Sequence, residues 1–438
     1  MPKVFTKGEV DRLGHKIRQF SISMDDETLI ELQNYRTSHK DALSQTFTIL
    51  CELTKKIHPR LIVTFRIKRF ESIIGKLERY PEMRFSRMWD IAGCRCIVRN
   101  DNDVYKLKRL IEDNQALEIV KEYDYIKNPQ EDGYKSLHLF VKHVSNDKIV
   151  EVQLRNQVNH NWATLVEITD FLFDSRLKEY GENKELLRFH KLLSKIENLT
   201  VEDKYEIAKI ITKYNYFEKL SEVFSRNYLS VRRQWFELES QTNHKYFLIE
   251  TRKDDIPKIE SFANFQFAEN KYFNVYKTSQ NANIVLTHLQ TPNYNQISIA
   301  YSNYILTFHS FLTECLDILE SLIVESLANC KYLAFYKNYN LYNGLVLNHI
   351  KNMVAEVQEI YEYTEQSKEK RKQNKRKEKE WIDDIKKQIN QHNFRSKRLQ
   401  VSVKKNMPTT FFGNFFINQM INIINSNYKR KAQNTFPK

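Results

Sequence analysis

Four clusters of residues able to do chemistry fall between Arg66 and Glu167 of this 438-residue chain. The first is Arg66, Lys68, Ser72 and Lys76 in RIKRFESIIGKLER. Lys68, Ser72 and Lys76 recur at steps of four, so they stack on one face where a strand gives way to a helix. Three cations and a hydroxyl beside a helix start suit a polyphosphate; the same spacing also describes a solvated basic helix face. The second, RMWDIAGCR, sets Asp90 between Arg87 and Arg95, with Gly93 allowing close backbone approach. It reads either as a salt bridge or as a Mg²⁺ ligand beside phosphate-binding arginines.

The third cluster is DYIKNPQEDGYKSLH, residues 124–138, a turn on Pro129, Asp132 and Gly133 that leads into a strand. Alternation puts Tyr134, Ser136 and His138 on one face. A tyrosine at a strand mouth can stack on a base while Lys135 meets its phosphates; an ordinary half-buried strand fits the same letters. The fourth is VEVQLRNQVNHNWATLVE, residues 150–167. Glu151, Gln153 and Arg155 share one strand face, and the following helix offers His160 and Glu167. Glu151 is either half of a buried ion pair or a second Mg²⁺ ligand and general base.

The elements that must position these residues form an α+β chain. Residues 1–58 read as a helical segment packing on the next domain, with Asp25-Asp26-Glu27 capping a helix start. RLIVTFRIK, AGCRCIVRN, LEIVKEY, YKSLHLFVKHV and KIVEVQLR alternate as strands, with helices near 69–80 and 101–114. Together they make a mixed-sheet domain over 59–180. A helical connector over 181–228 follows. Over 229–366 a smaller mixed α/β accessory domain is expected, with KYFLIE, KYFNVYK and NIVLTHL as its strands. Residues 367–438 read as a basic helical C-terminal region, and Asn414, Asn418, Asn422 and Asn425 share one helical face.

Eight glycines and eight prolines exclude collagen-like or linker-rich designs, and 41% apolar with 28% charged residues describes a globular chain. Five scattered cysteines give neither a disulfide framework nor a paired zinc pattern, and Cys94 and Cys96 point to one face of a strand as packing. With no apolar run long enough to span a membrane and no signal-like N-terminus, a reduced cytoplasmic protein is expected. Of the net charge of +14, residues 368–405 carry +10, so the basic character is local.

The order and spacing of the four clusters resemble the RelA/SpoT-type alarmone synthetases, in the stand-alone branch. The resemblance runs through Arg66-x-Lys68 with Ser72 and Lys76, Arg87 with Asp90-Ile91, Gly93 and Arg95, Tyr125-Ile126 to Gly133-Tyr134-Lys135-Ser136-Leu137-His138, and Glu151-Val152-Gln153-Leu154-Arg155 with His160 and Trp162-Ala163. It covers roughly residues 40–180 and implies transfer of pyrophosphate from ATP to the 3′-hydroxyl of GDP or GTP, giving (p)ppGpp and AMP. By motif, it implies that Asp90 and Glu151 hold Mg²⁺, with Glu151 also the base. Arg66, Lys68, Ser72, Lys76, Arg87 and Arg95 would grip donor phosphates. Tyr134, Lys135, His138, Gln153 and Arg155 would serve the acceptor. The chain departs from the pattern at Gln130, Asn156, Asn159 and Val166-Glu167, positions on the acceptor side or in the scaffold. It has no His-Asp dipeptide, so no hydrolase domain is expected.

The basic run admits a solvated charged helix, an RNA contact or a membrane-surface role. An RNA contact would suit a toxic relative that pyrophosphorylates the 3′ end of tRNA. The apolar segment Phe411, Phe412, Phe415, Phe416, Ile417, Met420 and Ile421 is expected to dock on the chain's own core or on a second subunit in a homo-oligomer. A non-catalytic binding module is disfavoured because both acidic motif residues are present.

Overall fold

The computed structural model describes residues 4–19, 25–173, 175, 177, 183–238, 243–251, 256–278, 283–301, 308–366 and 371–435. Three helices come first: α1 (Lys7–Gln19), α2 (Asp26–Thr37) and α3 (Lys40–Ile57). Then follow β1 (Ile62–Ile67), α4 (Phe70–Arg79), β2 (Ala92–Val98), α5 (Asp101–Glu112), β3 (Leu117–Asp124), β4 (Leu137–His143) and β5 (Ile149–Asn156). Four helices separate these from the remaining strands: α6 (Gln157–Phe173), α7 (Lys184–Leu193), α8 (Val201–Lys213) and α9 (Tyr216–Leu238). The chain continues as β6 (Tyr246–Thr251), β7 (Lys258–Phe262), α10 (Phe265–Thr278), β8 (Asn283–Leu289) and α11 (Tyr294–Ala300). It ends in α12 (Phe308–Ala328), α13 (Tyr332–Gln366), α14 (Arg371–Lys405) and α15 (Phe411–Thr435). Asp25 caps α2 as its position suggests, accepting from the Thr28 N–H.

The eight strands of the described residues join one mixed sheet in the order β3-β4-β5-β2-β1-β8-β6-β7, in which β2 and β5 are parallel. The alternation read from the sequence has a direct consequence in space. Val63, Phe65 and Ile67, Cys94 and Cys96, Leu139, and Val152 and Leu154 point to one face, where they pack with α3, α5 and α10 into the main core. The polar residues of the same strands are left on the other face. A second core gathers α1, α2 and the apolar side of α4: Leu13, Ile17, Leu32, Phe70, Ile73, Leu77 and Phe85. Gly14 is part of it, because a Cβ there would lie 2.6 Å from Phe85 Cβ. Only glycine lets α1 approach the short turn that leads to Asp90.

The chain divides into two compact units, residues 1–165 with 230–306, and residues 166–229 with 307–438. Three expectations are corrected by this. Residues 229–366 do not form an accessory domain of their own: β6, β7 and β8 extend the first sheet, with β8 pairing to β1, and α12 and α13 belong to the second unit. An alternating aromatic strand does not encode which edge it will pair with. Second, KYFNVYK lies in α10 rather than in a strand. Its buried residues Ala268, Tyr272 and Tyr276 recur every four positions, and that helical period outweighs the strand preference of aromatic residues. Third, α7, α8 and the start of α9 are not a connector but share the second unit with α12–α15.

All five cysteines are free thiols, four of them buried. Among the described residues no helix is long and apolar enough to cross a membrane.

Candidate active site

Strand register brings the four clusters to one place. On the polar sheet face Arg66 of β1 lies opposite Gly93 of β2, Gly93 opposite Glu151 of β5, and Glu151 opposite Phe140 of β4. The next row runs Thr64, Arg95, Gln153, His138 and Tyr123. Gly93 leaves an opening beside Glu151: a Cβ there would sit 3.9 Å from Glu151 Oε2, an ordinary contact. Crowding therefore does not demand glycine at this position, and the space is what the residue contributes.

Asp90 lies just before β2, beside the end of β1, where the Lys68 N–H donates to the Ile91 carbonyl at 2.8 Å. Lys68 Nζ and Lys76 Nζ each donate to Asp90 Oδ2 at 2.9 Å. The salt bridge left open by the sequence thus exists, but with the lysines of the first cluster rather than with Arg87 or Arg95. Burial pushes the Asp90 carboxyl upward, and the two ammonium groups more than reverse this, bringing it from 3.8 to about 2. Its other oxygen, Oδ1, is buried and accepts no hydrogen bond. Burial also lowers the Lys68 ammonium pKa, partly offset by Asp90.

Glu151 is held at both oxygens. His138 Nδ1 lies 2.8 Å from Oε1, and Gln153 Nε2 donates to Oε2 at 2.9 Å. His138 Nε2 lies 2.7 Å from the Tyr134 hydroxyl, and that hydroxyl accepts from Arg155. Arg155 also donates to Gln153 Oε1 at 3.1 Å, and Arg95 Nε meets the same oxygen at 3.4 Å. The result is one network from Arg95 through Gln153, Glu151 and His138 to Tyr134 and Arg155. Burial raises the Glu151 carboxyl and the nearby Asp90 charge adds to that rise. The His138 and Gln153 hydrogen bonds outweigh both, so the group sits below the ordinary carboxylate range.

The Tyr134 ring carries the Arg155 guanidinium on one face, 4.9 Å from its centroid, and meets the rings of Trp162 and Tyr125 edge-to-face at 6.4 and 6.0 Å. Gly133 makes the preceding turn with φ 96°, a conformation that side chains other than glycine's rarely adopt. Of the other expected residues, Ser72 and Lys135 are half-buried on the same unit and Arg87 is exposed in the turn before Asp90. His160 is placed elsewhere: it is buried, with Nε2 2.8 Å from the Ile299 carbonyl, and it ties α6 to α11. Among the described residues no group of three or more His, Cys, Asp or Glu could cage a metal. Two carboxylates are nevertheless what Mg²⁺ asks of a protein when substrate phosphates and water complete the octahedron, and the orphaned Asp90 Oδ1 fits that use.

The sequence family described as a region found in RelA / SpoT proteins matches residues 65–169, the stretch that builds this network. This part of the chain belongs to the RelA/SpoT family. The chain is 34% identical over 140 residues to the GTP pyrophosphokinase YwaC of Bacillus subtilis, spanning 28% of this chain and 66% of that protein's length. It is 28% identical over 172 residues to the GTP pyrophosphokinase YjbM of the same organism, spanning 37% and 81%. Among solved structures, small alarmone synthetase 2 of Bacillus subtilis is similar at 27% identity, covering 38% of this chain and 90% of that one with a TM-score of 0.32. Small alarmone synthetase 1 bound to its product pppGpp is similar at 25% identity, covering 35% and 86% with a TM-score of 0.31.

The RelA/SpoT region also rests on residues that no motif announced. Arg36 of α2 is buried between the rings of Phe70 and Tyr276, 4.9 and 4.4 Å from their centroids. It donates to the Lys68 carbonyl through Nε at 3.1 Å and Nη2 at 2.9 Å, and Tyr276 donates to the same oxygen at 3.2 Å. The Tyr272 hydroxyl accepts the Ile67 N–H at 2.8 Å. The tyrosine contacts span over two hundred positions (Tyr276 to Lys68 is 208) and Arg36 lies 32 positions from Lys68, so local spacing carries no sign of them. Arg36→Ala should lower unfolding free energy by about 3 kcal/mol, through a lost charge-assisted bond pair and a cavity between two rings. Chemical denaturation reads this; a change under about 0.5 kcal/mol would deny the positioning role.

Proposed function

We propose that the first unit is a pyrophosphokinase, moving the β,γ-pyrophosphate of ATP to the 3′-hydroxyl of GDP or GTP and releasing AMP. The observation that supports this most is the convergence of Asp90 and Glu151, from separate loops and strands, with Lys68 and Lys76 already at one of the two carboxylates. In the transfer the acceptor 3′-oxygen bonds to the β-phosphorus, the bond from that phosphorus to the α-bridging oxygen breaks, and AMP leaves with the electron pair. The acceptor proton goes to Glu151, which is ionised at neutral pH because its pKa is depressed.

Asp90 and Glu151 would hold Mg²⁺, which when bound neutralises phosphate charge and fixes the donor's geometry. Arg66, Lys68, Ser72 and Lys76, with Arg87 and Arg95, grip the donor phosphates. Tyr134 would offer its ring to the acceptor base, with Lys135 next to it in the chain. His138, Gln153 and Arg155 lock Tyr134 and Glu151 into one arrangement, so orientation rather than covalent chemistry supplies the rate.

The acceptor is tested by incubating the full chain with γ-labelled ATP, Mg²⁺ and either GDP, GTP or deacylated tRNA. Label is expected on the nucleotide, with AMP formed in equal amount and tRNA unlabelled. Label on tRNA and none on the nucleotide would replace this reading with the tRNA-modifying one.

A further inference from the structure

The basic C-terminal region is partly neutralised within the second unit: Arg395 donates to Asp317 at 2.6 Å and to Glu320 at 3.0 Å, and Arg398 donates to Glu320 at 2.5 Å. The end of this region is different. From residue 385 to residue 438 the sequence has eleven Lys or Arg and no Asp or Glu. Within it, α14 and α15 meet at a turn, residues 406–410, and the first two turns of α15 expose four rings. Phe411 is 79%, Phe412 77%, Phe415 52% and Phe416 59% exposed.

These rings face outward because the other side of α15 is already used. Ile417 and Ile424 are buried, Tyr428 donates to the Asn340 carbonyl of α13 at 2.9 Å, and Tyr339 of α13 donates to Asn425 at 3.3 Å. The turn is tight: a Cβ on Gly413 would lie 2.7 Å from Thr410 Oγ1 and 2.8 Å from Pro408. Leading up to it, Phe394, Lys397, Val401, Lys404 and Lys405 are exposed and spaced as one helical face of α14. At about 150 Å² or more per fully exposed ring, the four phenylalanines offer roughly 400 Å² of apolar surface, as large as the patches that soluble surfaces keep for partners.

We propose that this helical tip docks on an anionic lipid surface, the four rings entering the headgroup boundary while Lys397, Lys404 and Lys405 meet lipid phosphates. The charge pattern selects this occupant. A second copy of the chain would bring the same acid-free stretch, residues 385–438, against itself, cation facing cation. Single-stranded RNA is met by rings lying as open platforms interleaved with cations; here four rings cluster without a cation among them, and the Phe411 and Phe412 planes stand 81° apart. An apolar wedge flanked by lysines is the composition of a helix that lies in a membrane interface without crossing it.

Co-sedimentation of the full chain with phosphatidylcholine vesicles, with and without about 30% phosphatidylglycerol, tests this. Binding is expected on the anionic vesicles and should weaken at least roughly tenfold between about 50 and about 500 mM NaCl. The variant carrying Phe411→Ser, Phe412→Ser, Phe415→Ser and Phe416→Ser should lose at least about ten-fold in vesicle affinity, with circular dichroism unchanged because each ring is more than half exposed. In a second variant, Phe412→Trp, brominated anionic lipid should quench fluorescence beyond the wild-type level. Equal binding to neutral and anionic vesicles, unchanged binding by the serine variant, or no added quenching in Phe412→Trp would overturn the proposal. So would ring-dependent binding of a uridine oligomer, or ring-dependent dimerisation, without vesicle binding.

Discussion

Glu151→Gln should lower pyrophosphate transfer by at least about a thousandfold, because the substitution removes the charge proposed to accept the 3′-hydroxyl proton. The amide cannot simply replace the carboxylate within its network. If the new oxygen keeps the His138 hydrogen bond, the new NH₂ faces the Gln153 Nε2 donor, which now donates at 2.9 Å. Gln153 must then turn over and present its own NH₂ to Arg95 and Arg155, whose bonds at 3.4 and 3.1 Å need an acceptor. The other setting, with the new NH₂ toward His138 and the oxygen toward Gln153, requires His138 to carry its proton on Nε2 instead, so the network rearranges either way and about 1 kcal/mol of stability is lost. Activity falls far more than that stability loss explains. Steady-state kinetics together with chemical denaturation separate the two effects; a variant with transfer within tenfold of wild type would remove Glu151 from the chemistry.

Asp90→Asn should also cut transfer by about a thousandfold, but its second expected effect has the opposite sign. In the free protein Asp90 Oδ2 occupies both Lys68 and Lys76 at 2.9 Å. Without the charge, both ammonium groups are released to a triphosphate. ATP binding measured by calorimetry in EDTA should therefore tighten about tenfold while turnover in Mg²⁺ collapses. Stability follows the usual sign for a depressed carboxyl. The contribution is fully present above the ordinary value of 3.8 and is lost as pH falls through about 2. At neutral pH its loss in the variant is on the order of 2 kcal/mol. Weaker metal-free ATP binding in Asp90→Asn would show that the lysines do not face the donor phosphates.

Much of this site was legible because β-strands alternate. Once Glu151, Gln153, Gly93, Arg95 and Arg66 are placed on strands, period two alone commits them to one face opposite Val152, Cys94 and Phe65. The step of four puts Ser72 and Lys76 on one face of α4, but Lys68 lies before that helix and reaches Asp90 from the end of β1. Pairing partners were not legible. That Asp90 meets Lys68 and Lys76 rather than its neighbours Arg87 and Arg95 depends on how the end of β1 crosses the start of β2, which no local pattern states. Neither does the sequence announce that β8 completes β1, or that Arg36 and Tyr276 converge on one backbone oxygen of Lys68. Aromatic residues misled in α10, where Tyr272 and Tyr276 obey a helical period that the strand-like composition hides. The close approaches at Gly14 and Gly413 were silent for the same reason: a close approach is a property of two segments, and only one of them is visible at a time.

Manganese, a spectroscopic stand-in for Mg²⁺, gives the most direct test of whether the two carboxylates share an ion. Electron paramagnetic resonance of Mn²⁺ titrated into the full chain with a non-hydrolysable ATP analogue counts bound ions and their affinity. The wild type should hold Mn²⁺ in the protein–nucleotide complex, and Asp90→Asn and Glu151→Gln should each weaken it at least about tenfold. Mn²⁺ bound equally by the wild type and both variants would mean that Asp90 and Glu151 do not meet around a cation.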